Sequence, residues 1–256
     1  MDDHSRAKEQ FDVFLAECGI SRDDCRGASL LELGFGNCLF LNECTKAGMN
    51  VTGLEVRPHT FEKARGSFPG LDLLLYDGGK IPLSDNSFDY AVSFQVLEHT
   101  VSPGDFLNEC LRVLKPGGVM YHKFPNYKSF YEGHYKILWL PFLTKSAGRL
   151  YLKMFGKYTP YYESLSLTKP STIKEFGEKH LGSIELITDG TKEFDRGFTP
   201  AQAAKIKNGF LRRIVSFAVN SKLLRNLICT TLIKTGMYYP LMIIARKRAK
   251  EMAVIM

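Results

Sequence analysis

Through residue 126 this chain alternates short apolar runs with helix-like segments, and no other feature of its 256 residues restricts the possible folds as strongly. Ser29-Leu30-Leu31-Glu32-Leu33 reads as a strand closed by Gly34-Phe35-Gly36, and a helical stretch over 38–47 stops at Gly48. A strand over 51–56, a helix opened by Pro58, and strands over 71–76 and 88–95 follow. Proline suits a first helical turn because its missing N–H is not needed there. A helix over 103–114 is broken by Lys115-Pro116-Gly117-Gly118, and a strand over 119–124 ends at Pro125-Asn126. Parallel neighbours need a long crossover between them, so the rhythm predicts an α/β fold, a doubly wound Rossmann-like sheet with helices on both faces.

Beyond residue 126 the rhythm fails. Residues 121–162 hold 13 of the 31 aromatic residues, interrupted by Pro141 and Pro160. This predicts an insertion over 127–170, lying across the carboxyl ends of the strands, where open α/β sheets bind ligands. Alternation resumes with a helix over 171–180, a strand Ile184–Thr188, a long basic segment over 200–235 and a strand over 241–245 that Pro240 can precede. Residues 1–27 read as an N-terminal helical segment, and no internal repeat is visible.

Charge divides along the same line. Residues 1–130 carry 13 Lys+Arg against 18 Asp+Glu, and residues 131–256 carry 21 against 9, so the net +7 belongs to the second half. Such asymmetry calls for an anionic partner, nucleic acid or membrane. The acidic start leads into no apolar signal segment, and the longest late apolar run, 235–245, is too short to span a bilayer. Six cysteines without a C-x-x-C pair suit a reducing compartment and give no metal-ligand spacing. A soluble cytoplasmic protein without a metal is expected.

The strand ends carry the chemistry. Glycine at 34 and 36 allows a sharp turn and close approach of a ligand to the backbone. The third glycine of a dinucleotide fingerprint is missing, and Glu32 just ahead of the turn would repel a phosphate but welcome an ammonium group. Glu55 ends the second strand 21 residues after Gly34, the distance expected of a carboxylate that accepts from ribose hydroxyls. Asp77 ends the third strand, and Leu97-Glu98-His99 follows the fourth. Acidic groups at consecutive strand ends suit a ligand with a ribose, an amine and a positive charge.

Six segments in order, Leu31-Glu32-Leu33-Gly34-Phe35-Gly36, Leu54-Glu55, Tyr76-Asp77, Asn86-Ser87-Phe88-Asp89-Tyr90, Gln95-Val96-Leu97-Glu98-His99 and Leu111-Arg112-Val113-Leu114-Lys115-Pro116-Gly117-Gly118, resemble the class I S-adenosylmethionine-dependent methyltransferases, most closely the methyltransferase type 11 group. The resemblance covers residues 28–126. It implies a single methyltransferase domain with a seven-stranded sheet whose last strand is antiparallel, and S-adenosylmethionine as cofactor. It further implies that Gly34 and Gly36 hold the methionine part, that Glu32 faces its ammonium through water and that Glu55 takes the ribose hydroxyls. Asp77 would accept from the adenine amino group, Gly78 would line the ring, and Gln95 would lie beneath the sulfonium. Cys38 stands where the family often has a third small residue, and the substitution is expected to be tolerated because only helix packing asks for smallness there. Asp89 and Lys115–Gly118 are expected to be structural.

Methyl transfer to an alcohol needs a general base, and histidine suits neutral pH. His99 is the first candidate and His134 in Tyr131-Glu132-Gly133-His134-Tyr135 the second. Against these stand a turn role for His99 and packing of His134 within the aromatic insertion. His4, His59, His122 and His180 read as surface or framework residues. The aromatic insertion is either a small satellite core or a lid over the acceptor. The run Phe124-Pro125-Asn126, Tyr131–Tyr135 and Trp139-Leu140-Pro141-Phe142 is similar to methyltransferases of bacterial surface polysaccharide or lipid-linked glycan synthesis. That makes a glycan or lipid-linked hydroxyl the leading acceptor, with a quinone or small phenol behind it and a catalytically silent partner subunit as the non-enzymatic alternative.

In the basic segment, Phe210, Leu211, Ile214, Val215, Phe217 and Ala218, then Leu223, Leu224, Leu227 and Ile228, recur at helical spacing, with Arg212, Arg213, Lys222 and Arg225 between them. This is a basic amphipathic helix or helix pair broken near Asn220-Ser221. It either packs on the domain or docks on an anionic leaflet at the inner membrane face. Nucleic acid is disfavoured, because the apolar stripe is too broad to track phosphates and no RNA-binding module is recognisable.

Overall fold

A computed structural model describes residues 2–204 and 209–249. Helix α1 (Asp3–Cys18) is capped by Asp2, whose carboxylate accepts from the amide of Ser5 at 2.7 Å. The sheet then builds as β1 (Ser29–Leu33), α2 (Leu39–Lys46), β2 (Asn50–Glu55), α3 (Pro58–Ser67), β3 (Asp72–Leu75), β4 (Phe88–Phe94), α4 (Pro103–Val113) and β5 (Leu114–Phe124). A two-stranded hairpin, β6 (Tyr131–Glu132) and β7 (Ile137–Leu138), opens the insertion, followed by α5 (Lys145–Met154) and α6 (Tyr161–Ser164). The chain continues with α7 (Pro170–Lys179), β8 (Ile184–Thr188), α8 (Thr191–Gly197), α9 (Pro200–Ala204), α10 (Gly209–Asn220), α11 (Lys222–Thr235) and β9 (Leu241–Lys247).

The seven large strands lie in the order β3-β2-β1-β4-β5-β9-β8. β1 to β5 are parallel, and β9 slots antiparallel between β5 and β8. This is the Rossmann-like sheet with an antiparallel last strand that the rhythm and the resemblance lead one to expect. Central strands buried on both faces explain the near-continuous apolar runs. One face packs Leu31, Leu33, Ala91, Met120 and Ile243 against α4 and α7, and the other packs Leu30, Val92, Tyr121 and Ile244 against α1 and α2.

Asp89 ties the entrance of the sheet. It accepts from the amide and hydroxyl of Ser29 at 2.8 and 2.7 Å and from Lys115 Nζ at 2.8 Å, joining β1, β4 and β5. Lys115–Gly118 is not a turn ahead of β5. Leu114 already pairs with Phe88, and the four residues form a bulge before pairing resumes at Val119 opposite Tyr90. His122 is framework: buried at the centre of β5, it bonds Ser93 Oγ through Nδ1 at 2.8 Å, and burial holds its imidazole down to about 3. His180 is bonded to Asn108, while His4 and His59 are exposed.

The insertion has its own core of Tyr127, Trp139, Leu152, Tyr162 and Leu165. It leaves and rejoins the sheet at one place, where the amide of Tyr127 donates to the carbonyl of Thr168 at 2.9 Å. The amide of Ser166 donates to the carbonyl of Glu98, and the Thr168 hydroxyl to that of Pro125, so the insertion is fastened to the exits of β4 and β5. No helix among the described residues is long and apolar enough to cross a membrane.

The basic segment is a helix pair with its break at Ser221, whose hydroxyl caps α11. Phe217, Leu223 and Leu227 are exposed, while Ala218, Val219 and Cys229 are buried. Arg212, Arg213 and Lys222 are exposed, but Arg225 is turned inward onto Asp195 and the carbonyl of Phe198. The side chains of Phe210, Leu211 and Ile214 lie outside the described residues.

Candidate active site

Five parallel strands present their carboxyl ends to one edge, and the acidic and glycine residues sit there because each ends its strand. At the exit of β1, Glu32 is 4% exposed and its Oε2 has no hydrogen-bond partner. Burial, and then the charge of Glu55, push its carboxyl well above the usual range. Gly34 turns the chain with φ +73°, and a Cβ there would meet Val96 Cγ2 at 2.5 Å. Gly36 has φ +54° and faces open space. With Glu32, Phe35, Asn37 and Phe40, these residues line a cleft of about 330 Å³ whose far wall is Arg6, Ala7 and Gln10 of α1. That wall was not apparent in the sequence, since helix α1 adjoins the glycine turn only through the tertiary fold.

Cys38 requires a correction. It adopts φ +59° and is fully buried, so the position asks for a left-handed backbone as well as for smallness. A non-glycine residue there costs ~1–2 kcal/mol.

Glu55 is buried at the exit of β2. Its Oε1 accepts from the amides of Val56 and Arg57 at 3.0 and 3.1 Å, and the Arg57 guanidinium closes over it. Asp77 and Gly78 lie past β3 on an exposed turn, where Asp77 Oδ1 accepts from the amide of Gly79 at 2.9 Å. Gln95, exposed with φ +55°, follows β4. All seven residues thus occupy successive exits along one edge. Asp77 and Gly78 border a second cleft with Thr100, Ser102 and Phe106, distinct from the cleft at Gly34.

The two histidine candidates, far apart in sequence, are brought together: their ring centroids are 5.3 Å apart. His134 Nδ1 lies 2.8 Å from Glu132 Oε1, leaving Nε2 directed toward Glu98 Oε1 at 3.8 Å. His99 Nε2 is 3.7 Å from the same oxygen and 3.3 Å from the hydroxyl of Tyr161. Glu98 does not join the acidic strand ends that face the cofactor cleft, as the sequence suggested; it is wholly buried beneath the insertion. Burial lifts its carboxyl to about 7. Burial also lowers His99 to about 4, helped by the charges of His134 and Arg57. The bond to Glu132 raises His134, against its own burial. Burial pushes Glu132 up, yet the bonds from His134 and the Tyr135 amide outweigh it and hold the carboxylate low.

Glu132 and Tyr161 were missed in sequence. Only Glu132 left a signal there, as an acid two residues before a histidine. Chemically, the edge offers an anionic cleft at one end and, at the other, an imidazole pair backed by two carboxylates.

Residues 31–122 match the family model described as Methyltransferase domain. The chain is 30% identical over 162 residues to a Mycolicibacterium smegmatis protein named "Probable S-adenosylmethionine-dependent methyltransferase", covering 62% of this chain and 63% of that one. It is 30% identical over 114 residues to the ubiquinone biosynthesis O-methyltransferase of Caulobacter vibrioides, covering 40% of this chain and 43% of that one. The chain therefore spans less than two thirds of the length of these relatives. In fold it is similar to phosphoethanolamine N-methyltransferase 2 of Haemonchus contortus, solved with S-adenosyl-L-methionine: TM-score 0.59, 17% identity, 94% of this chain and 53% of that one. Sheet order and the match over 31–122 agree: residues 31–122 carry a methyltransferase domain on a class I methyltransferase-like sheet, and the chain is similar to S-adenosylmethionine-dependent methyltransferases.

Proposed function

We propose that this chain transfers the methyl group of S-adenosylmethionine to a hydroxyl of a glycan or lipid-linked acceptor. The observation that carries the reading is the convergence of His99, His134 and Glu98 at the exit of β4, on the edge that also holds Glu32 and Gly34. The cofactor fits these residues. Glu32 Oε2 is buried without a partner, as a carboxylate awaiting an ammonium group would be, and a Cβ at Gly34 would disturb the turn that cradles the methionine part.

When bound, S-adenosylmethionine supplies a methyl carbon already activated by sulfonium charge, so the protein's work is placement and removal of the acceptor proton. Glu32, Gly34 and Gly36 would hold the methionine end, Glu55 the ribose hydroxyls, Asp77 and Gly78 the adenine, with Gln95 beside the reacting centre. The histidine cluster takes the acceptor side, where Glu132 fixes the ring of His134. An apolar carrier on the acceptor is supported by the exposed side chains of the insertion, Leu138, Phe142, Leu150, Met154 and Phe155, with Lys153 and Lys157 among them. A quinone or phenol acceptor is the second reading, favoured by the name of the Caulobacter relative.

The test is transfer of labelled methyl into fractionated cell extract. Wild type labels a glycan or lipid-linked fraction, and His134→Ala or His99→Ala lowers transfer at least ~100-fold while cofactor affinity stays within about twofold. Label in the quinone fraction selects the second reading. Full activity in both variants removes the histidines from the mechanism, and cofactor binding without any labelled fraction leaves the silent-partner alternative.

We further propose that the α10–α11 pair seats the chain on an anionic leaflet at the cytoplasmic face of a membrane. Exposed Phe217, Leu223 and Leu227 beside exposed Arg212, Arg213 and Lys222 support this. Each basic residue near such a surface contributes ~1 kcal/mol, so replacing all three by Gln weakens cosedimentation with phosphatidylglycerol vesicles roughly 100-fold. Binding indifferent to salt and to anionic lipid counts against it.

A further inference from the structure

Among the described residues, Glu98 alone has both carboxylate oxygens buried with no hydrogen-bond partner. Its side chain is 0% exposed, and it is aimed at two imidazoles that stand beyond hydrogen-bond reach, at 3.7 and 3.8 Å. A buried carboxylate in this condition is normally completed by a cation. One donor atom from each of Glu98, His99 and His134 lies within 4.8 Å of the others. An ion about 2.1 Å from each of two donors bridges separations of up to about 4.2 Å, so both measured gaps are of the size such an ion fills.

We propose that Glu98, His99 and His134 form a three-ligand site for a divalent transition-metal ion of the Zn²⁺ or Fe²⁺ type. Two imidazole nitrogens and one carboxylate suit those ions, whereas Mg²⁺ and Ca²⁺ prefer oxygen donors throughout. Glu132 completes the arrangement. By bonding His134 Nδ1 at 2.8 Å it fixes the tautomer whose Nε2 lone pair faces Glu98, the carboxylate–histidine–metal relay that orients metal ligands. His99 and His134 are part-exposed, so the ion reaches the site from solvent, and its remaining position opens beside the Tyr161 hydroxyl. The six cysteines are free and buried, and none belongs to this cluster. The role of the ion rests on the function proposed above: with an ion in place the two imidazoles serve as ligands in place of a base, and the ion would bind the acceptor hydroxyl and lower its pKa, the proton passing to water. Its binding does not depend on that reading.

The experiment is titration of the chelator-stripped full chain with ZnCl₂ by calorimetry, with CoCl₂ as a spectroscopic probe. The expected result is one ion per chain and a tetrahedral-type Co²⁺ absorption. Glu98→Gln and His134→Ala each weaken Zn²⁺ binding at least ~100-fold, and Glu132→Gln ~10–100-fold. His59→Ala, an exposed histidine on α3, leaves it unchanged. Retained binding of S-adenosylmethionine by each variant shows that it is folded. No ion bound by wild type, or equal binding by Glu98→Gln, overturns the site. Methyl transfer that persists in such a metal-free chain leaves the function standing, whereas a metal-loaded chain that transfers no methyl group defeats the function and leaves the site.

Discussion

Glu32→Gln is expected to lose at least ~100-fold in affinity for S-adenosylmethionine, ~3 kcal/mol, while making the ligand-free protein more stable by ~1–2 kcal/mol. The opposite signs come from one fact: the carboxylate is buried with Oε2 unpartnered, so it is costly until a cation arrives. Its proton balance works in the same direction. The folded carboxyl titrates well above 4.5, because of burial and Glu55, so the unfolded chain ionises first. Stability from this group is present below about 4.5 and is lost as pH rises through the folded value, at up to ~1.4 kcal/mol per pH unit. A bound ammonium favours the ionised form, so binding in this window releases a proton. Calorimetry in two buffers of different ionisation heat measures that release, and it disappears in Glu32→Gln. Unchanged affinity in the variant would show that Glu32 does not face the cofactor.

Gly34→Ala is expected to lower the melting temperature by roughly 5–15 °C and to abolish cofactor binding. Two costs combine. Alanine at φ +73° meets the left-handed penalty of ~1–2 kcal/mol, and its Cβ falls 2.5 Å from Val96 Cγ2, an overlap of ~1–3 kcal/mol against a side chain with one stiff torsion. Val96→Ala in the same chain removes the overlap at the expense of some of Val96's own packing, so the double variant recovers less than half of the lost stability and none of the binding if the turn itself holds the methionine part. Full recovery of both would mean that sterics alone set glycine at this position. Thermal melts and calorimetry on the three variants decide it.

What the sequence made legible was governed by nearby residues. Ser29–Leu33 is read to the residue because an apolar run and a glycine turn are both local, and the break at Asn220-Ser221 is found because Ser221 caps the next helix. The start of β5 was misread at Lys115–Gly118 because proline and two glycines mark a turn locally, while pairing of Leu114 with Phe88 is decided by a strand 26 residues earlier. Cys38 looked like a matter of packing because backbone torsion leaves no trace in a one-residue substitution.

The site divides the same way. Glu32, Gly34, Glu55 and Asp77 are recognisable because each ends a strand, and strand ends can be counted. Glu98 could be named but not placed, because its burial is created by residues 132–134 folding back over it. His99 and His134 were separate candidates in sequence; that they face one carboxylate belongs to the tertiary fold alone.

The meeting of Tyr127 and Thr168 across a single backbone hydrogen bond has a consequence for how this architecture can vary. A segment that begins and ends at one point, and carries its own small core, is a cassette. It can be exchanged without moving a strand of the sheet, so the cover over the strand ends can change while Glu32, Gly34 and Glu55 stay in place. Any exchange also removes His134 and Glu132, which ride on the cassette, but keeps Glu98 and His99, which do not. New specificities in this architecture must therefore either bring their own partner for Glu98 or silence it.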